Sequence, residues 1–211
     1  MKKIPRGSIE LTNARKDEII NACASLYETM SFKDITIKEI GELTTCKRAA
    51  IYNYFQTKEE IFLALLQQEY ELWANELEAI TVSREQMTAD EIAQELAHSL
   101  EKRQRMLKLF SMNHFDMEAN SRLENLTEFK AAYAKSITAV EKCLEKFCPD
   151  MSKKNRQDFI YSFFPCIYGI YPYTVVTEKQ RKAMEAANVN YVYLSIYEIA
   201  YTCAKKLLGI S

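Results

Sequence analysis

Tetrapeptides of the form S/T-x-x-E/Q recur along the chain, and five of them stand just ahead of runs that read as helices. They are Thr36–Glu39, Thr57–Glu60, Thr88–Glu91, Ser121–Glu124 and Thr177–Gln180. In such a box the hydroxyl accepts a backbone N–H of the first turn. The fourth side chain reaches back to the N–H of the first residue. Two donors that a helix start leaves orphaned are thereby satisfied. Each box predicts a helix N-terminus, and no strand-like alternation accompanies them. The 211 residues hold four glycines and four prolines, fewer turn residues than a sheet protein of this size needs. The expected fold class is all-α.

Apolar periodicity predicts helices over about 13–30, 37–43, 47–54, 58–80, 89–101, 103–117, 121–147, 153–175, 178–187 and 190–208. In the first, Ile19, Ile20, Cys23, Leu26, Tyr27 and Met30 share one face. The first three helices are joined by only a few residues. The expected organisation is a compact N-terminal unit over 1–58, with a helix-turn-helix at about 36–55, followed by a larger helical bundle over 59–211.

The composition, 48% hydrophobic and 27% charged, is that of a soluble globular chain. The net charge of −1 conceals an asymmetry. Residues 1–58 carry 10 Lys+Arg against 7 Asp+Glu, and the rest carry 18 against 22. The basic excess lies in the N-terminal unit, which is where a nucleic acid would meet it. Cys23, Cys46, Cys143, Cys148, Cys166 and Cys203 form no C-x-x-C pair. They read as free thiols serving as small apolar side chains in a reducing cytoplasm. A basic N-terminus with no apolar stretch behind it predicts no signal peptide.

Residues 159–177 are uncharged over 19 positions, long enough to span a bilayer. Two prolines, a glycine and four tyrosines are spread along them, whereas membrane tyrosines gather at the interfaces. A helix buried at a core or subunit interface is expected instead, with no membrane partner. The chain has two histidines, no glycine-rich phosphate loop and no nucleophile elbow, so no enzyme is expected. His114, Asp116 and Glu118 do not share one helix face, so neither a metal nor another cofactor is expected.

The stretch 44–62, TTCKRAAIYNYFQTKEEIF, carries basic residues first, then alanines, then rings. On a helical wheel Ile51 and Phe55 fall together, and would pack against the first helix and Ile37, Ile40 and Leu43. The other side presents Ala49, Ala50 and Asn53, flanked by Tyr52 and Tyr54. Small residues let a helix approach base edges. Arg48 reaches guanine O6 and N7, and an alanine methyl touches a thymine methyl. Tyrosine hydroxyls and Lys58 can hold phosphates. Helix N-termini at Thr36 and Lys58 would add backbone donors, and Lys2, Lys3 and Arg6 could form an arm over the duplex. Spacing alone also fits an ordinary packed helix with a solvated basic start.

The stretch from Ile40, IGELTTCKRAAIYNYFQTKEEIF, resembles the signature of TetR-type transcriptional regulators. The matching residues are Ile40, Gly41, Ile51, Tyr52, Tyr54, Phe55, Thr57, Lys58 and Glu59, with Ala24, Phe32 and Thr36 upstream. By position, the resemblance implies that Lys38, Arg48, Ala49, Ala50 and Tyr52 face bases, and that Thr36, Tyr54 and Lys58 face phosphates. The family often has glycine in the turn, where Thr45 stands, and Ser or Thr capping the third helix, where Lys47 stands. A turn glycine commonly serves a positive φ. A reshaped turn, with Thr45 as the cap and Lys47 at the helix start, is the expectation here.

The resemblance further implies a cytoplasmic homodimer on a roughly palindromic duplex DNA operator, with a small-molecule site in the C-terminal bundle. The helices over 153–175 and 190–208 offer apolar residues on more than one face, as a subunit interface would. Pro165 and Pro172, with Gly169 between them, are expected to bend or loosen the first of these. Trp73, Met106, Phe110, Met112, Phe115, Phe129, Tyr133, Phe164 and Tyr168 are the expected walls of an apolar or aromatic ligand site, though each alone also reads as core. The function expected is a ligand-responsive homodimeric repressor. The alternatives are a DNA-binding regulator without a ligand, and a helical interaction module whose helix-turn-helix serves only packing.

Overall fold

In the computed structural model, residues 6–46, 48–112 and 114–210 are described, the side chain of Arg6 excepted. They form eleven helices and no strand. These are α1 (Arg6–Thr29), α2 (Ile37–Glu42), α3 (Arg48–Ile51), α4 (Lys58–Ser83), α5 (Ala89–Glu101), α6 (Gln104–Phe110), α7 (His114–Ala119), α8 (Leu123–Phe147), α9 (Lys153–Thr174), α10 (Glu178–Ala186) and α11 (Ile196–Leu207).

The capping chemistry places the starts. Thr36, Thr88 and Thr177 form the expected reciprocal boxes and open α2, α5 and α10. A further box, Ser195 with Glu198, opens α11. Two expected boxes are used differently. Thr57 accepts the Glu60 amide, but the Glu60 carboxylate turns to the Gln56 amide and to Arg122. Ser121 donates to the Met117 carbonyl, and α8 begins two residues later.

Three helices depart from the periodicity. The expected helix over 103–117 is two, because the chain leaves α6 at Ser111, whose hydroxyl closes on the Lys108 carbonyl. The helix expected from 190 starts at Ile196. Asn188 takes a left-handed conformation at φ 52°, and an irregular segment follows as far as Ser195. The recognition helix expected over 47–54 is regular only from Arg48 to Ile51. Beyond it the bonds tighten to i−3, from the Asn53 amide to Ala50 and the Tyr54 amide to Ile51.

The chain divides into two compact units: Met1–Gln68 with Asn113–Ala132, and Glu69–Met112 with Tyr133–Ser211. In place of the expected boundary at 58/59, the units divide within α4, between Gln68 and Glu69, and the first unit draws in a segment more than forty residues further along the chain. Its interior is Ile19, Cys23, Ile35, Ile40, Ile51, Phe55, Ile61 and Phe62, all essentially buried. Tyr27 and Phe32 set their rings edge-on to Phe62 at 5.1 and 4.8 Å. Leu43 was expected in this core. It is 56% exposed, because it caps α2 with φ −97° and ψ 3° and has left the helix face that Ile40 occupies.

In the second unit α11 packs on α5 and α9, and α6 packs on α9. Leu96, Leu100, Leu107, Val140, Leu144, Phe163 and Ile167 fill its core. α9 runs continuously through Pro165 and Pro172, whose rings lie on its exposed side. The sharp change of direction comes after it, an 87° turn into α10. Among the described residues no single helix is long and apolar enough to cross a membrane.

Candidate functional site

The first unit presents one short helix outward. Ile51 and Phe55 anchor it, with 0% and 2% of their surface exposed. Arg48, Ala49, Tyr52 and Asn53 are exposed on the other side, and Ala50 and Tyr54 are half-buried. Gly41 permits the close approach of α2: a Cβ there would meet the Ile51 Cδ1 at 3.4 Å and the Arg48 Cα at 3.8 Å. Lys47, expected at the head of this face, lies outside the described residues, as do Lys2 and Lys3 and the Arg6 side chain.

The turn before α3 holds its shape without a glycine. Thr44, Thr45 and Cys46 keep negative φ. The Thr45 amide donates to the Glu18 carboxylate, and Arg15 donates to both the Thr45 hydroxyl and Glu18. The Thr44 hydroxyl faces the carbonyls of Gly41 and Cys46, each at 3.2 Å. The bond from the Thr45 amide, then the Thr45 hydroxyl and Arg15, hold Glu18 down at about 2. Thr45 was expected to cap α3. Its hydroxyl accepts from Arg15 instead, so α1 supplies the order that a glycine commonly supplies.

The expected phosphate contacts are placed unevenly. Thr36 is exposed, and its hydroxyl is engaged in the α2 box with the Lys38 amide and Glu39. Lys38 is exposed and sits 3.8 Å from Glu42. Lys58 departs from expectation. Its ammonium donates to the carbonyls of Phe32 at 2.7 Å and Ile35 at 3.1 Å, and lies 4.2 Å from the Phe32 ring centroid. It ties α4 to the loop before α2, because those carbonyls and the ring face offer a partly buried cation more than water does. It is therefore not a side chain extended toward solvent.

A buried carboxylate in this unit meets an arginine that lies far from it in the sequence. Glu60 is 1% exposed, and its carboxylate accepts the Arg122 Nε at 2.7 Å, the Arg122 Nη2 at 2.9 Å, and the amides of Gln56 and Arg122. Burial pushes the Glu60 carboxyl up. The Arg122 guanidinium and the two amides outweigh it and leave the group below the ordinary range. The Arg122 Nη2 also donates to the Tyr54 carbonyl at 2.8 Å. A sequence separation of 62 leaves no local signal for such a pair.

Of the nine expected ligand residues, five meet in the second unit, joined by Tyr70. Phe110 stacks on Tyr168 at 4.4 Å, and Tyr133 and Trp73 each lie 5.7 Å from Phe164. Tyr70 meets Phe110 at 5.3 Å and Tyr133 at 5.5 Å, and its hydroxyl is 2.5 Å from that of Tyr168. Trp73 donates to Ser99 at 2.9 Å. Met106 is buried in α6, and Met112 is half-buried just past it. Phe129 is buried but belongs to the first unit. Phe115 cannot wall an enclosed site: it is 87% exposed on the short α7.

A short helix with Arg48 and Tyr52 outward, packed on α2, which in turn packs on α1, defines the class of helix-turn-helix DNA-binding proteins. Comparison with known proteins then places the chain within that class. Residues 19–65 match the bacterial regulatory proteins of the tetR family, and residues 67–197 match the tetracyclin repressor-like C-terminal domain. The chain belongs to the TetR family of DNA-binding transcriptional regulators. No curated protein matches it.

Solved structures share the fold at low identity. A TetR/AcrR-family regulator from Thermobifida fusca is 14% identical, with a TM-score of 0.60 over 93% of this chain and 97% of its own. FadR from Bacillus subtilis, solved with stearoyl-CoA, is 13% identical, with a TM-score of 0.59 over 92% and 98%. RolR, solved with resorcinol, is 15% identical, with a TM-score of 0.56 over 94% and 96%.

Proposed function

We propose that this protein is a ligand-responsive homodimeric repressor that reads a roughly palindromic operator with α3. The observation that carries this reading is the two-sided character of the short helix. Arg48, Ala49, Tyr52 and Asn53 are exposed above the buried anchors Ile51 and Phe55. Arg48 reads a guanine edge, the alanines admit the backbone into the major groove, and Tyr52 and Tyr54 add base or phosphate contacts. Two copies place their helices about 34 Å apart, one helical turn of DNA.

Subunit contact runs through α9 and α11. Tyr161 and Tyr173 on α9 are 70% and 63% exposed, and Val192, Tyr193 and Leu194 are exposed ahead of α11. Apolar surface of this kind favours a second copy. The small molecule is apolar or aromatic and binds at the Tyr70, Trp73, Phe110, Tyr133, Phe164 and Tyr168 cluster. That FadR was solved with stearoyl-CoA and RolR with resorcinol supports a small-molecule ligand for this fold. Binding favours a state whose α3 helices no longer match successive grooves, with α4 as the lever. The coupling equals the difference in ligand affinity between the two states.

The test uses a duplex enriched by the full chain from a random pool. The Arg48→Ala, Tyr52→Ala double variant should lose affinity for it at fixed salt, and unchanged affinity would overturn the assignment of α3. Trp73 is the chain's single tryptophan. A compound that both shifts its emission and releases the duplex would be the expected ligand. Release without a change in emission would move the ligand site elsewhere.

A further inference from the structure

Arg122 stands where three parts of the first unit meet. It immediately precedes α8, and its partner Glu60 is the third residue of α4. The guanidinium spans the buried Glu60 carboxylate and the Tyr54 carbonyl at the end of the recognition helix, with Nη2 serving both at 2.9 and 2.8 Å. Next to it the Thr57 hydroxyl donates to the Asn120 carbonyl at 3.0 Å. The turn from α3 into α4 is therefore held at two points by the corner between α7 and α8.

The chemistry suits a fixed connection. The guanidinium is a rigid planar fork with five donors, so one side chain can hold a carboxylate and a carbonyl in a set relative position. The Tyr54 carbonyl lies in the turn that leaves α3, where no helical ladder continues to take it up, and the Arg122 guanidinium supplies its partner. Breaking the connection would strand a buried carboxylate and release that carbonyl together. Both helices that begin here run on beyond the first unit: it ends at Gln68 and Ala132, whereas α4 continues to Ser83 and α8 to Phe147.

We propose that Arg122 is a positioning residue for DNA reading: its fork to Glu60 and Tyr54 sets the attitude of the recognition helix and makes α8, beside α4, a second path by which a change in the rest of the chain reaches the operator-binding face. This rests on the reading of Arg48–Ile51 as the groove-facing helix.

The test measures full-length Arg122→Gln, Arg122→Lys and Glu60→Gln against the enriched duplex and against random duplex of equal length, at one salt concentration. Amide exchange at residues 54–57 is followed in parallel. Arg122→Gln should lose about tenfold or more in affinity for the enriched duplex, the scale of one base contact put out of register. Its affinity for random duplex should hold, and exchange at 54–57 should quicken. Arg122→Lys keeps the charge opposite Glu60 but not the fork, and should fall between. Wild-type affinity for the enriched duplex in a folded Arg122→Gln overturns the proposal. So does an equal loss on both duplexes, which marks a general effect of charge or folding. If Arg122→Gln does not fold, wild-type affinity in both other variants overturns it. Arg48→Ala is measured alongside: if it binds as the wild type, the groove-facing reading has failed, whatever Arg122 does.

Discussion

The Glu18 carboxylate, in the middle of α1, accepts the backbone amide of Thr45, 27 residues away in the turn before the recognition helix. Arg15, one turn earlier on α1, donates to the Thr45 hydroxyl as well. The turn is thus shaped by a charged pair on a neighbouring helix. Because Glu18 is held at about 2 against an ordinary 4.5, the contact is tied to pH.

A carboxylate with a lowered folded-state value stabilises the fold fully above its unfolded value. Its contribution fades as pH falls from about 4.5 toward about 2. Wild-type protein should therefore lose more stability between about pH 5 and about pH 3 than Glu18→Gln, compared by urea midpoints at the two values. Glutamine keeps an acceptor for the Thr45 amide but not the titration. Identical losses in both proteins would mean that Glu18 adds nothing to stability.

The two sides of α3 should separate stability from recognition. Ile51→Ala removes a wholly buried side chain and should cost about 2–5 kcal/mol. Tyr52→Ala, on the exposed side, should change stability by only about 0.5 kcal/mol while weakening operator binding. Thermal melting beside a DNA titration checks both. A large drop in melting temperature for Tyr52→Ala would show that this ring packs rather than reads.

Gly41 offers a graded test of how closely α2 approaches α3. An alanine Cβ meets Ile51 at ordinary contact distance, so Gly41→Ala should be tolerated, with a gain of up to about 1 kcal/mol from helix propensity. Gly41→Leu cannot fit beside Ile51 and the Arg48 backbone, and should cost about 1–3 kcal/mol. Equal stability of the two variants would mean that α2 and α3 separate freely.

In the second unit Ser99 is the acceptor for the buried Trp73 indole. Ser99→Ala leaves that N–H without this partner and should cost about 1–3 kcal/mol. The same variant should shift Trp73 emission. Unchanged stability and emission together would show that the indole finds another acceptor.

Much of the fold was legible because its signals are local. Thr36, Thr88 and Thr177 open helices where their boxes predict, since cap and partner lie three residues apart. Ile51 and Phe55 are buried, as one-turn spacing implies. The Ser195–Glu198 box is an equally local signal for the start of α11 after the left-handed Asn188.

What the amino-acid sequence determined by itself is the helical class, most of the helix starts and the motif that marks the family, because capping, periodicity and motif spacing act within a few residues. Tertiary structure alone decided where charged side chains spend their hydrogen bonds. Lys58 reads as a phosphate grip but closes on Phe32 and Ile35; Thr45 reads as a cap but is held by Arg15 and Glu18; Arg122 carries no signal at all until Glu60 and Tyr54 are brought beside it. A long cation can satisfy its donors at any acceptor within reach, and only folding, by burying Glu60 and bringing distant carbonyls together, decides which acceptor that is.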